Sequence, residues 1–289
     1  MMRRLVRVSL FLLACCALPA AAQYGRNCTV TATSVAFGTY TGAVVNSPGT
    51  ITVTCGNGRA YDVALSAGTS TGATVTTRKM TGPAGALLNY ALYSNATHTT
   101  NWGNTAATNW VTGTGTGAAQ QLTVYGQLAA AQYVAPGSYT DTITVTVSGT
   151  RINTVTTTFT VTATVVKDCG VSATNLVFGN YTGAVNNSTS TVTVTCTNTT
   201  TYTVGLSAGL ATGATVTTRK MQYGTALLNY ALYSNSTHAT NWGNTAATNW
   251  VAGTGTGVAQ PLTVYGQIAA GLYVTPGSYT DTITATVTY

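Results

Sequence analysis

The sequence predicts an all-β protein built as two tandem immunoglobulin-like β-sandwiches, the second lacking its final strand. Three observations carry this. The chain is internally duplicated: VAFGTYTGAV at 35–44 returns as LVFGNYTGAV at 176–185, and LLNYALYSNATHTTNWGNTAATNW at 87–110 returns almost letter for letter at 227–250. Apolar and polar residues alternate with period two through much of both copies, the pattern of strands with one face buried and one wet. The copies also end differently. PGSYTDTITVTV at 136–147 runs on through SGTRINTVTTTFTVTATVVKD to Cys169, whereas PGSYTDTITATV at 276–287 is followed only by Thr288 and Tyr289.

The chain has 289 residues, room for two ordinary domains, and 45% of them are hydrophobic, so each copy can build a core. Only 5% are charged, so surface polarity falls to Thr, Ser, Asn and Gln. Thr and Val are β-branched and favour pleated structure over helix. The N-terminus has the form of a secretory signal, residues 1–22. Arg3, Arg4 and Arg7 form its basic part, 8–17 its apolar part, and Ala20-x-Ala22 a small-residue cleavage site before Gln23. LLAC at 12–15 loosely matches a lipoprotein signal, but Ala20–Ala22 sits at a better distance, and the apolar run is short for a membrane span. Removing three arginines lowers the formal charge from +7 to about +4, and the remaining cations are scattered, so nucleic-acid binding is not expected.

Export fits the cysteines. Cys28 and Cys55 are 27 positions apart, as are Cys169 and Cys196, which predicts one disulfide per copy, each restricting the unfolded chain by about 3 kcal/mol. A metal site is not expected: there is no CxxC, and His98 and His238 lie far off in sequence.

The strands follow in order. Alternation marks TITVTC at 50–55, YDVALSA at 61–67, LTVYGQL at 122–128 and DTITVTV at 141–147, with counterparts at 190–196, 202–208, 262–268 and 281–287. PG at 48–49, GNG at 56–58, GTGTG at 113–117 and PG at 136–137 are read as the separating turns. Short strands at this spacing indicate a sandwich in each copy. The surplus segment 154–167 places Val155, Phe159, Val161, Ala163 and Val165 on one face and threonines on the other. After a reversal at 148–153 it is expected to lie antiparallel to 141–147 and close the first sandwich from within. Residues 23–167 then form the first domain and 168–289 the second. Lacking such a strand, the second domain should keep an apolar groove and an unpaired edge along Thr280–Tyr289, with Ile283, Ala285, Val287 and Tyr289 facing the groove. A strand from another chain is the plain remedy.

These residues resemble the spore coat protein U domain, the pilin-type domain of archaic (Csu-type) chaperone–usher pili. The resemblance rests on the early Cys, FGxY at 37–40 and 178–181, TVTC at 52–55 and 193–196, LxYxLY at 88–93 and 228–233, YGQ at 125–127 and 265–267, and the closing PGSYTDTIT. It implies a subunit whose missing strand is lent first by a periplasmic chaperone and then, at an outer-membrane usher, by the N-terminal strand of an adjacent pilin subunit. With cleavage after Ala22, only 23–27 precede Cys28, too short for a donor strand, so the resemblance implies a tip subunit at the cell surface.

Other candidates are given plainer readings. Trp102 and Trp110, repeated as Trp242 and Trp250, suit either an aromatic binding loop or core packing; their presence in both copies favours packing. Arg78–Lys79–Met80 and Arg219–Lys220–Met221 are read as a charged turn followed by a buried Met. Asp141 and Asp281 are expected to bond locally at a strand start, and the histidines to be solvated. Loops that differ between copies, at 55–62, 81–86 and 129–133, are the first places to seek a ligand of the first domain; the adhesion target itself is unspecified. No catalytic pattern and no cofactor site is evident: the four acids are Asp62, Asp141, Asp168 and Asp281, none paired. The rival functions are a secreted, self-associating coat or matrix protein and a lectin-like binding module.

Overall fold

A computed structural model describes residues 27–289; the expected signal at 1–22 lies outside them. The first copy contributes ten strands: β1 (Thr29–Ala32), β2 (Val35–Tyr40), β3 (Val45–Thr54), β4 (Ala60–Leu65), β5 (Arg78–Thr81), β6 (Leu87–Tyr93), β7 (Val111–Thr114), β8 (Ala119–Leu128), β9 (Gly137–Ser148) and β10 (Val155–Val165). The second contributes β11 (Cys169–Ala173), β12 (Asn186–Cys196), β13 (Thr201–Leu206), β14 (Arg219–Tyr223), β15 (Ala226–Tyr233), β16 (Val251–Thr254), β17 (Gln260–Ile268) and β18 (Ala285–Thr288). The architecture is all-β, consistent with two tandem immunoglobulin-like sandwiches.

In the first copy the strands join into one curled sheet in the order β1-β3-β8-β6-β5-β9-β10-β2. β9 turns the corner between layers: Thr140 meets Thr81 of β5, while Val145–Ser148 pair with β4. β10 runs antiparallel to β9 over its full length, Val155 opposite Val147 through Val165 opposite Gly137. Its other edge pairs in parallel with β2, from Val161 beside Val35 to Val165 beside Tyr40. The alternation in 155–165 therefore becomes burial: Phe159, Val161, Ala163 and Val165 enter the core, Val155 packs at its margin, and the interleaved threonines face outward. Disulfides Cys28–Cys55 and Cys169–Cys196 clamp β1 to β3 and β11 to β12.

The second copy divides into two separate sheets, β11-β12-β17-β15-β14 and β16-β13-β18. No strand corresponding to β10 is among its described residues. Residues 174–185, which include the counterpart of β2, form no strand, and of the expected strand Thr280–Tyr289 only β18 is regular. The single β5–β9 pair of the first copy, Thr81 with Thr140, has its counterpart in an isolated bridge between Gln222 and Thr280, and the pairing of β9 with β4 is kept by β18 and β13. The physical reason is shared. Both stretches are ladder neighbours of β10 in the first copy, and without that neighbour their N–H and C=O groups have no row to join.

Two local readings are corrected. Pro48–Gly49 is not a turn but lies inside β3, Pro48 opposite Tyr125 and Gly49 opposite Val124. Proline is tolerated because β1 reaches only Ile51, leaving β3 an edge strand at that point. Glycine is needed because a Cβ there would come within 2.8 Å of the Val35 side chain. The second correction concerns Arg78 and Arg219, which are not surface charges but are fully buried.

Candidate functional site

The feature that separates the copies is a groove of 1340 Å³ in the second. One wall is Leu176, Phe178 and Tyr181; the other is Tyr279, Ile283 and Ala285; core residues such as Val264 form the floor. In the first copy the matching wall positions are closed. Val35, Ile143 and Val145 are entirely buried there, against half-buried Leu176, Ile283 and Ala285. The groove thus occupies the place that β10 fills in the first copy.

Of the residues expected along this edge, Ile283 and Ala285 line the groove. Val287 lies beyond its end, paired with Val204 across β18 and β13. Tyr289 departs from the expectation: it is 51% exposed and outside the lining. It shares the parity of the others, but it lies past the end of β18 and past the sandwich, where Gly149 stands in the first copy. Sequence reading missed the opposite wall, Leu176–Tyr181. The signal was present in the alternation of VAFGTY, whose Val35, Phe37 and Tyr40 point into the first core.

A polar anchor sits at the head of each groove position. Asp141 accepts hydrogen bonds from the Thr69 N–H (2.8 Å), the Thr69 hydroxyl (2.9 Å), the Tyr90 hydroxyl (2.7 Å) and the Thr142 N–H (2.8 Å). Only the last is local, so Asp141 ties three elements together rather than capping its own strand. Asp281 does the same with Leu210, Tyr230 and Thr282. Beside each carboxylate a buried arginine donates to main-chain carbonyls: Arg78 to Ser66, Val75, Leu65 and Trp102, Arg219 to Ser207, Val216, Leu206 and Trp242. Burial lowers each guanidinium to about 10. Burial, reinforced by the bond to the carboxylate, raises the Tyr90 and Tyr230 phenols. These groups are engaged in holding strands, and none forms a nucleophile–base pair.

The remaining candidates scatter. Trp102 and Trp242 are core residues whose indole N–H groups donate to Val63 and Val204, both at 2.9 Å. Trp110 and Trp250 are half-buried at the loop end. His98 is not freely solvated but wedged edge-on between Tyr93 and Tyr125, with ring centroids 5.4 and 6.2 Å away; His238 repeats this. The three variable loops of the first copy form no single patch. The 129–133 loop meets the second copy through Tyr133, while the turn at 56–59 matches the turn by which the second copy faces the first, and so lies at the opposite end. Among the described residues no cluster of three or more His, Cys, Asp or Glu could hold a metal ion.

The groove's walls carry apolar side chains at alternate positions, and the backbone rows at 176–181 and 281–284 have no ladder partner on the side that faces it. The sequence model of the Spore Coat Protein U domain matches residues 14–146 and again 155–286. The chain belongs to the Spore Coat Protein U domain family. Membership sets it among structural proteins rather than enzymes. A relative, Protein U of Myxococcus xanthus, is 35% identical over 134 residues, covering 42% of this chain and 74% of that protein. Among solved structures, the CsuC–CsuE chaperone–tip adhesion subunit pre-assembly complex of archaic chaperone–usher Csu pili of Acinetobacter baumannii contains a similar chain. The TM-score is 0.52 at 16% identity, covering 91% of this chain and 100% of that one, a likeness of fold. The CupB6 tip adhesin of Pseudomonas aeruginosa aligns at TM-score 0.33 and 10% identity, over 91% of this chain and 94% of that one.

Proposed function

We propose that this protein is a secreted structural and adhesive subunit of an archaic chaperone–usher pilus, placed at the fibre tip and joined to it by donor-strand complementation. One observation carries the reading: β10 lies between β9 and β2 in the first copy, and the same place in the second copy is a groove walled by Leu176, Phe178, Ile283 and Ala285. On this reading the row Val155, Phe159, Val161, Ala163 and Val165 is an internal donor, domain 23–167 is self-contained, and domain 168–289 receives a strand. The partners are a periplasmic chaperone during export, then an outer-membrane usher and an adjacent pilin subunit. A self-contained domain joined to an accepting one suits an outward-facing end, which supports the tip assignment. The fold shared with a chain of a chaperone–tip adhesion subunit complex supports it further.

The test uses the internal strand as a probe. A synthetic peptide of residues 154–167 added to the full chain should raise the melting transition of the second domain in proportion to the logarithm of its concentration. A peptide with Phe159→Asp should not. Absence of any shift with the natural sequence would remove the reading. The Spore Coat Protein U family model supports a second one, a secreted, self-associating coat protein. Secretion and surface assembly in a host lacking chaperone and usher would favour it.

A further inference from the structure

The two copies meet at a specific contact. The Tyr133 carbonyl, in the 129–133 loop of the first copy, accepts a hydrogen bond from the Asn198 N–H at 2.9 Å. Asn198 lies in the turn after the second cysteine of the second copy. That turn also holds the linker: the Thr197 N–H donates to the Asp168 carbonyl at 2.9 Å, and the Asp168 N–H to the Thr197 hydroxyl at 3.2 Å. Gly257 completes the seat, since a Cβ there would come within 2.8 Å of the Tyr133 oxygen. The turn is held in a costly shape. Thr199 has φ +66°, a region β-branched residues rarely enter, where the first copy has Gly58. Thr197 and Thr200, at the same turn, are almost fully buried.

The contact follows from the strand that precedes it. β10 ends at Val165, opposite Gly137, and β11 begins at Cys169. The four residue steps from Val165 to Cys169 reach at most about 14 Å, so a domain that follows a groove-filling strand this closely must land beside the 129–133 loop. The second copy carries the corresponding loop, AAGLY at 269–273 against AAAQY, at the mouth of its own groove, with the tyrosine kept. There Tyr273 is 95% exposed.

We infer that the 269–273 loop is a second docking surface, which seats the first domain of the subunit that fills the groove. This rests on the reading that the second copy receives a strand, and it specifies how the donor's domain is then held. The occupant is a domain of this same family, joined to its donor strand by a short linker. It presents a backbone N–H at the place of Asn198 and a glycine at the place of Gly257, with the Tyr273 carbonyl taking the part of Tyr133. The joint between subunits then repeats the joint between the two copies, making it a fixed angle rather than a free hinge.

The experiment extends the chain after Tyr289 with its own residues 150–289, which supplies a donor strand and a third domain. Spin labels at Ala96→Cys and Ser236→Cys report the first joint by pulsed electron resonance. Labels at Ser236→Cys and its repeat in the added unit report the second. Equal modal distances and equal widths at both joints are expected. A second joint that is broad or displaced, while the middle domain gains thermal stability, overturns the docking surface and leaves strand acceptance standing. A middle domain that melts as it does in the unextended chain removes strand acceptance itself, and the inference with it. Gly257→Val in the added unit alone should broaden only the second joint. If that joint is unchanged, the contact does not run through Tyr273.

Discussion

Phe159 is the largest side chain that β10 delivers to the first core, 4% exposed and opposite Ile143. Replacing it by alanine removes a ring from a site flanked by β9 on one side and β2 further along the other, leaving little freedom to collapse. Buried Phe→Ala changes of this kind cost about 3–5 kcal/mol. With a urea dependence of about 2 kcal/mol per M for a domain of this size, the first domain's midpoint should fall by about 1.5–2.5 M. Urea unfolding of the full chain, followed by a probe specific to each domain, separates the two transitions. The second domain's midpoint should stay where it is. Phe178→Ala, at a half-buried groove wall, should shift the second domain by clearly less. A loss below about 1 kcal/mol at Phe159, or an equal loss in both domains, would refute the argument that β10 completes the first core and only that core.

Further outcomes follow from the same geometry. Ile283→Asp puts a charge on the groove wall and should abolish binding of the 154–167 peptide and capture by a chaperone while leaving the first domain's melt unchanged; co-purification and calorimetry check this. Asp141→Ala strands the buried Tyr90 hydroxyl and two N–H groups, and should lower the first domain's stability by about 3 kcal/mol in urea unfolding. Replacing Cys28 and Cys55 by serine should lower it by about 3 kcal/mol as well, read from the same curves. Alkali separates the buried tyrosines from the buried arginines. The Tyr90 and Tyr230 phenols are raised by burial, so the stability they hold is complete below the unfolded value near about 10 and is lost as pH climbs beyond it. Arg78 and Arg219, lowered to about 10, act in the opposite sense between there and about 12.5. Because the two effects oppose one another across that window, the readout is the difference between chains: Tyr90→Phe removes the phenol's loss, so its urea midpoint should fall less, or rise more, between about pH 10 and 12.5 than that of the unaltered chain, and an identical pH dependence would contradict the burial argument.

Much of this was legible because β-structure writes its faces into alternate residues. Phe159, Val161, Ala163 and Val165 share a parity and share the core, and the disulfides follow from equal cysteine spacing. What stayed hidden depends on neighbours distant in sequence. Pro48–Gly49 has the local composition of a turn, yet β8 and Val35 hold it extended. Arg78 looks exposed until Leu65, Ser66, Val75 and Trp102 turn their carbonyls toward it. The groove was visible along Ile283 and Ala285 because a strand was visibly missing there. Its other wall at 176–181 was not: the apolar spacing of Val35, Phe37 and Tyr40 marks a buried face, but nothing local says that the parallel partner of that strand is β10.

What separates the two copies is β10, which the first holds between β9 and β2 and for which the described residues of the second have no counterpart. The measurement that tests it most directly is to express residues 23–167 and 168–289 separately in a bacterial periplasm without a chaperone, and to follow each by size exclusion and thermal melt. A folded monomer from the first piece, and from the second an aggregate that peptide 154–167 converts into a melting monomer, is the predicted result. Two pieces that both fold alone as stable monomers would contradict it.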